Sequence, residues 1–382
     1  MAKIVLLFLT ILICLITLNH NVLSKKNSKK KTTKKKPSSS SSSSLSMNKT
    51  IEYYIGSSLD YRYYEPLING MGQETCLKFV KTKNFSATNV IIITKDNSNS
   101  VSAKIKDGKI LYSIFIKELE FNVREFHKLL YWILYIRYKF NECVGNKQGQ
   151  IKEKTMKELL KNYKCNLESI SETTVKVEEN SISYSYKKVK KLGNISPENL
   201  DQLDYSKIFF FSDLIDLNQK ICKDSCKKSK TKCKNFGILN PNSCSRCICP
   251  YFYEGDKCEN TIKRKKPEIC GNVDLKAQKK TQVKNMILDP RYQCLYKIKP
   301  TSKNAKVEVK FEPPTKAYIR CHPGYFEINY YNDKSKTGVS PCKYLEPFTI
   351  KGSKGATVFV YSTNLFNPPF SNMTMKYKEI KA

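Results

Sequence analysis

Histidine is scarce in this chain. Only three occur in 382 residues, at His20, His127 and His322. Catalysis by a serine or cysteine nucleophile usually needs a histidine base beside it, and imidazole is the commonest metal ligand in proteins. Three histidines so far apart in sequence argue against both kinds of chemistry.

Long apolar runs are also missing, with one exception near the start. Lys3 precedes the run Val5 to Leu18, which is 14 residues long. A membrane helix needs about 20 apolar residues, whereas a signal-peptide core needs only about 7–15. We therefore predict a signal peptide over residues 1–20 and a secreted protein with no membrane span after cleavage. An uncleaved anchor is the alternative.

Acidic residues are scarce relative to basic ones. The chain has 34 Asp+Glu against 68 Lys+Arg, a formal net charge of +34. Outside the cell, a basic protein meets sulfated polysaccharide and other anionic surfaces rather than nucleic acid. The alternative is a lysine-rich composition without a selected partner, because no patch stands out in the sequence after residue 40.

Composition also separates a tether from a folded region. Residues 21–47 are rich in lysine and serine and have few apolar side chains, which favours disorder. Residues 48–222 contain apolar strand patterns at 89–94 and 110–116. Helical periodicity follows in the 126–138 stretch, and further helices are predicted over 152–163 and 212–221. This region is predicted to be a domain of mixed helices and strands.

Cysteine is the residue type in which the chain is rich. Of 15 cysteines, Cys14 falls in the predicted signal peptide, which leaves an even number. Six lie close together in a segment too short to bury a core, namely Cys226, Cys233, Cys244, Cys247, Cys249 and Cys258. A three-disulfide module is predicted, although six cysteines allow 15 pairings. The alternative is a zinc ribbon that uses Cys244 and Cys247.

The last block alternates apolar and polar residues. Examples are CLYKIK (294–299), AKVEVKF (305–311) and ATVFVYS (356–362). Period-two patterning with turn residues between the runs predicts an all-β sandwich.

The middle and last segments resemble two extracellular modules. The stretch CKNFG…PNSCSRCICPYFYEGDKCE is similar to an EGF-like module, which places that module at residues 223–259. The resemblance implies the pairs Cys226–Cys244, Cys233–Cys247 and Cys249–Cys258. The runs CLYKI and VEVKF, with the ending YSTNLF…FSNMTMKYKE, resemble a CUB domain over residues 260–382. That resemblance implies the pairs Cys270–Cys294 and Cys321–Cys342.

The first domain, residues 48–222, resembles the astacin zinc peptidases. IEYYIG…ETCLKFV is similar to the opening strand and helix of that family, and FSDLIDLNQKIC to its closing helix. The resemblance implies an α+β metzincin fold, a Cys76–Cys222 bridge and zinc endopeptidase activity. Cys143 and Cys165 are left over and are predicted to pair with each other.

The zinc motif of that family, H-E-x-x-H-x-x-G-x-x-H, is not intact. The aligned stretch keeps Glu125 at the general-base position, but Arg124, Lys128 and Leu134 stand at the ligand positions. Tyr131 stands where the glycine ends the helix. Two cations and an aliphatic side chain cannot bind Zn²⁺, so we predict no cofactor. We predict one continuous helix through Tyr131 and an ion pair that Glu125 makes with Arg124 or Lys128.

Three functions follow from these observations. The first is a secreted, inactive astacin homologue that binds extracellular proteins or peptides. The second is an active zinc metalloendopeptidase, and the third is a basic matrix or glycosaminoglycan binder. Sequons at Asn48, Asn84 and Asn372 add predicted N-glycosylation.

Overall fold

The computed structural model of the chain describes residues 49–85, 90–117, 123–145, 151–165, 173–177, 181–186, 210–262, 267–288, 293–314, 318–319, 326–341, 343–362 and 371–382. Residues 45–382 form one compact unit. Within it we call residues 49–222 the sheet domain, residues 223–259 the cysteine module and residues 267–382 the sandwich. The predicted signal peptide, the linker, Asn48 and the Cys321–Cys342 pair lie outside the described residues.

The sheet domain is built on one mixed sheet of seven strands. In chain order the strands are β1 (Thr50–Ile55), β2 (Lys78–Lys81), β3 (Ile91–Lys95), β4 (Ser100–Lys106), β5 (Lys109–Ile116), β6 (Thr173–Val177) and β7 (Ser181–Tyr186). Their spatial order is β2-β1-β3-β5-β4-β7-β6. In this order the first three neighbouring pairs are parallel and the last three are antiparallel. In β5 every second residue is buried, as expected of a strand with one face on the core.

Four helices among the described residues accompany this sheet. They are α1 (Tyr61–Glu74), α2 (Val123–Val144), α3 (Met156–Asn162) and α4 (Phe210–Ile221). The helix predicted over 152–163 begins later, because Thr155 caps its first turn. The Thr155 hydroxyl accepts from the backbone N–H of Glu158, and the Glu158 carboxylate accepts from the backbone N–H of Thr155. A bridge between Cys76 and Cys222 joins the end of α1 to the end of α4.

The cysteine module is held by covalent bonds and very little core. Its bonds join Cys226 to Cys244, Cys233 to Cys247 and Cys249 to Cys258. It contains three two-residue strands, β8 (Ile238–Leu239), β9 (Cys247–Ile248) and β10 (Tyr253–Glu254). The last of them pairs with β11 (Asn260–Thr261), which directly follows the module. Only Ile248, Phe252 and Cys258 are buried among its apolar residues, so the disulfides must supply most of its stability.

Two four-stranded sheets enclose a common hydrophobic core in the sandwich. After the short helix α5 (Pro267–Cys270), the strands are β12 (Asp274–Ala277), β13 (Gln282–Leu288), β14 (Cys294–Pro300), β15 (Ala305–Glu312), β16 (Tyr318–Ile319), β17 (Phe326–Asn329), β18 (Lys343–Tyr344), β19 (Phe348–Lys351), β20 (Val358–Ser362) and β21 (Ser371–Lys381). The sheet orders are β12-β14-β20-β17 and β13-β21-β15-β19. A disulfide joins Cys270 to Cys294.

The cysteine module caps a helix of the sheet domain. The side-chain amide of Asn242 donates to the backbone carbonyls of Gly72, Gln73 and Thr75 at 3.0, 2.9 and 2.8 Å. These carbonyls belong to the last turn of α1 and the residue after it, where no intrahelical donor remains. The amide therefore joins the two parts at this helix end, where the side-chain amide of Asn240 also donates to the Gln73 carbonyl at 3.3 Å.

We expect Asn242→Ala to lower the free energy of unfolding by about 1–2 kcal/mol, because the Gly72 and Thr75 carbonyls lose this donor and Gln73 keeps only the longer bond from Asn240. Urea denaturation followed by circular dichroism measures the change. Asn332→Ala is the matched control, since that amide donates only to the exposed Lys354 carbonyl at 3.0 Å. Equal losses in the two variants would contradict the capping role.

Candidate functional site

Helix α2 carries the residues that align with the zinc motif. It runs without interruption from Val123 to Val144, 22 residues, and packs against β4, β5 and α4. The stretch contains neither glycine nor proline, so nothing in its backbone ends the helix near Tyr131. The predicted apolar face is buried at Phe126, Leu129, Leu130, Ile133 and Leu134.

The aligned positions that the structure describes lie in different surroundings. Leu134 is fully buried and belongs to the hydrophobic core. Lys128 and Glu125 are half-buried, and the structure gives each at least one interaction. The side chain of Arg124 lies outside the described residues. The ion pair of Glu125 with Arg124 or Lys128 stays a prediction.

Tyr131, at the position of the family's glycine, is instead part of the packing between α2 and α4. It is 6% exposed, and its hydroxyl donates to a carboxylate oxygen of Asp216 at 2.9 Å. Burial, followed by the nearby charges of Asp213 and Asp216, raises the pKa of the Tyr131 hydroxyl well above its ordinary value. This tyrosine is therefore a neutral hydrogen-bond donor, and it cannot act as a base at physiological pH.

Aromatic rings and a second charge complete this cluster. The rings of Tyr131 and Tyr135 are stacked at 6.2 Å, and Trp132 meets both edge-on at 5.1 and 5.6 Å. Lys220 pairs with Asp216 at 2.7 Å and lies over the Tyr135 ring at 4.7 Å. The contact between α2 and α4 is thus a packed network of aromatic and charged side chains.

A zinc ion does not fit the donor set at these positions. Zn²⁺ requires thiolate, imidazole or carboxylate donors in a tetrahedron. An ammonium and a core leucine donate nothing, and Glu125 is a single carboxylate. In the part of the chain that the structure describes, no three His, Cys, Asp or Glu side chains are grouped closely enough to hold a metal ion. His127 is half-buried on α2, and His20 and His322 are outside the described residues.

Sequence reasoning missed a buried charged residue of this domain. Arg137, on α2, is only 5% exposed, and its guanidinium lies 5.7 Å from the ring of Tyr112 on β5. Burial lowers the pKa of this guanidinium, and Glu52 on β1 partly opposes the effect. A helical projection could have found it, because Arg137 is one turn from the buried residues Leu134 and Phe140.

The remaining predicted positions are distributed over the molecule. Cys143 is bonded to Cys165, across the segment that contains α3. Asn84 is exposed in the loop after β2, and the side chain of Asn372 on β21 lies outside the described residues. No helix among the described residues combines the length and apolarity needed to cross a bilayer.

A groove lies where α4 meets the cysteine module. Its volume is about 350 Å³, and it is lined by Ile215, Asn218, Gln219, Cys222, Lys223, Cys226, Lys227, Ile238, Leu239 and Pro241. The lining is mainly apolar and includes two exposed lysines, Lys223 and Lys227. Its size suits one or two side chains of a bound peptide.

Comparison with known proteins agrees with part of the sequence interpretation. The chain is 32% identical to the zinc metalloproteinase nas-36 of Caenorhabditis elegans over 142 residues, which is 36% of this chain and 23% of that protein. It is 29% identical to nas-37 of the same organism over 172 residues, 44% of this chain and 21% of the relative. It is 30% identical to nas-34 over 133 residues, 35% of this chain and 21% of the relative. None of the known protein-family models matches the chain.

These similarities confirm the coarser part of the prediction. Relatives at about 30% identity over about a third of the chain are zinc metalloproteinases of the astacin type. The chain matches less than a quarter of the length of each of these relatives. A mixed α/β domain followed by β-rich, disulfide-bonded regions is consistent with the predicted fold class. The EGF-like and CUB-like assignments stay predictions.

Proposed function

We propose that this protein is a secreted astacin-type homologue without peptidase activity, which acts by binding extracellular proteins or peptides. One observation supports this most: α2 continues through Tyr131 and carries Leu134 into the hydrophobic core. Because Leu134 is buried in the core and α2 continues past it, this position cannot turn back towards a metal site. The six disulfides of the described residues are typical of proteins that fold in oxidising compartments.

Binding without hydrolysis is chemically reasonable for this fold. The network of Tyr131, Asp216 and Lys220 stabilises the contact between α2 and α4 in the absence of a metal. The groove beside α4 has a mainly apolar lining with two exposed lysines, which suits a peptide that carries both an apolar and an acidic side chain. Activity, substrates and partners of the longer relatives are not carried over to this chain.

Metal content and hydrolysis test the proposal together. We expect the purified full chain, dialysed against zinc and then against buffer, to retain no stoichiometric zinc by elemental analysis. We also expect no cleavage of an unfolded protein such as reduced casein, because Lys128 and Leu134 offer no ligands.

The matched control is Glu125→Gln, which removes the carboxylate at the general-base position and keeps its size. One zinc per chain, with hydrolysis that Glu125→Gln abolishes while the circular dichroism spectrum is unchanged, would establish an active peptidase and refute the proposal. Hydrolysis that persists in Glu125→Gln identifies a contaminating protease and leaves the zinc content to decide.

A further inference from the structure

One outer face of the sandwich carries an ordered array of lysines. This face belongs to the sheet β13-β21-β15-β19. The inner face of the same sheet packs on the core, where Val307, Val309 and Phe311 of β15 are buried. The residues that alternate with them point outward. On β15, β19 and β21 these include five lysines, Lys306, Lys310, Lys351, Lys376 and Lys378, and two glutamates, Glu308 and Glu312. We call these seven residues the lysine face.

Each glutamate of the lysine face is shared by two lysines. Glu308 pairs with Lys378 at 3.2 Å and with Lys351 at 3.6 Å, across its two neighbouring strands. Glu312 pairs with Lys376 at 2.8 Å and with Lys310 at 3.0 Å. Hydrogen bonds from Lys376 and then Lys310 hold the pKa of the Glu312 carboxyl below its ordinary value. Five ammoniums against two carboxylates leave a net charge of +3 on this face.

This arrangement costs stability in the absence of an anion. Lys310 and Lys376 are directly opposite each other in the antiparallel register of β15 and β21. Like charges at opposite positions of adjacent strands destabilise a sheet, and here one carboxylate serves both. An added anion would relieve the repulsion that Glu312 only partly offsets.

The lysine face is open, whereas the other outer face of the sandwich is covered. Phe252 of the cysteine module packs on Leu295, Phe359 and Tyr361 of the sheet β12-β14-β20-β17. In contrast, the side chains of Lys310, Lys351, Lys376 and Lys378 are 40–52% exposed. The covered face therefore holds the parts of the protein together, and the lysine face is accessible to a ligand.

We propose that the lysine face binds a sulfated polysaccharide chain. Neighbouring strands lie about 4.8 Å apart and side chains on one face about 6.8 Å apart along a strand. Both spacings are shorter than the Debye length of about 8 Å at physiological ionic strength, so the lysine potentials add. A linear polyanion with closely spaced sulfates can lie across such a flat lattice and contact several lysines at once.

Other polyanions fit this face less well. Membrane surfaces are bound most firmly when apolar side chains enter the lipid, and Val283, 60% exposed beside Lys376, is the one large apolar residue that is strongly exposed among the described side chains of this sheet. Single-stranded nucleic acid is bound through aromatic rings on which bases stack. The outward residues of β15 and β21 include no aromatic side chain.

Heparin affinity of the full chain tests the proposal. We expect the triple variant Lys310→Gln/Lys376→Gln/Lys378→Gln to elute from immobilised heparin at lower NaCl concentration. Its Kd for heparin in solution should rise about tenfold or more, because three charge contacts are lost. The matched control is Lys228→Gln/Lys230→Gln/Lys232→Gln, which removes the same charge from exposed positions of the cysteine module.

A gain-of-affinity variant makes the test independent of folding defects. Glu308→Gln/Glu312→Gln removes the two carboxylates from the lysine face and should move elution to higher NaCl concentration. Equal shifts in the two lysine variants would show that net charge alone sets the affinity and would overturn the proposal. Retention of wild type on phosphatidylserine vesicles but not on heparin would also overturn it, in favour of a lipid surface. Neither result bears on zinc content, so the proposed loss of peptidase activity is tested separately.

Discussion

Replacing both Cys76 and Cys222 by serine is expected to lower the free energy of unfolding of the sheet domain by about 5 kcal/mol. The bridge closes a loop with a sequence separation of 146, and long loops lose the most chain entropy when they are cross-linked. It also holds the end of α1 beside the end of α4, next to the carbonyls that Asn242 caps. A loss of this size approaches the whole stability of an ordinary domain.

Guanidinium denaturation of the variant, followed by tryptophan fluorescence, measures the effect, because Trp132 is the single tryptophan and lies on α2. The control is Cys270→Ser/Cys294→Ser, whose sequence separation is 24 and whose expected loss is about 3.5 kcal/mol. That loss should appear in the sandwich and leave the fluorescence transition unmoved. An unchanged transition in the Cys76/Cys222 variant would contradict the entropic argument.

The stability of the sandwich is expected to rise steeply between neutral and alkaline pH through one residue, Lys334. This lysine is 5% exposed, and its ammonium donates to the backbone carbonyls of Asn329 at 3.2 Å, Thr357 at 2.7 Å and Tyr331. Burial lowers the pKa of Lys334 from 10.5 to about 7, although Glu327 and Asp333 oppose the shift. At a pH between these two values, Lys334 is protonated in the unfolded chain and neutral in the folded chain.

The unfolded state therefore binds more protons in this window, and the free energy of unfolding rises with pH. Below pH 7 the cost of the buried charge is fully present. From pH 6 to pH 10 the free energy of unfolding rises by about 4 kcal/mol, at about 1.4 kcal/mol per pH unit above the folded-state pKa.

Urea unfolding of wild type and Lys334→Met at pH 6, 8 and 10 measures this term as the difference between the two proteins. Wild type should gain on the variant by about 4 kcal/mol over that range. Lys336→Met is the control, because that lysine is exposed two positions later in the same loop. A difference between wild type and Lys334→Met that does not change with pH would mean that the three carbonyls keep the ammonium charged.

Much of the local structure could be predicted because it depends on local patterns. The strands near 91–95 and 109–116 follow apolar runs, and those near 294–300 and 305–312 follow apolar alternation. Helix α2 follows a 3.6-residue period without a helix breaker. The boundaries were less accurate where a side chain decides them. The third helix begins at Met156 because Thr155 and Glu158 form reciprocal bonds, which outweigh the helical propensity of residues 152–154.

The candidate site could be predicted only as a set of residue types. The stretch 124–134 shows directly that two cations and a leucine stand at the aligned positions, since this needs only an alignment. It does not show that Tyr131 would donate to Asp216, which is 85 residues later. It also does not show that Arg137 and Lys334 would be buried, because a charged side chain enters a core only when the fold supplies partners for it, as Thr357 does for Lys334.

The sequence by itself determined the composition of this protein: scarce histidine, an excess of lysine, and an even number of cysteines outside the predicted signal peptide. It did so because residue type and close spacing are properties of the chain. Only the tertiary structure decided that five lysines from β15, β19 and β21 share one face with two glutamates. These strands are up to 76 positions apart in sequence, and backbone hydrogen bonds between them set a register that no local pattern specifies.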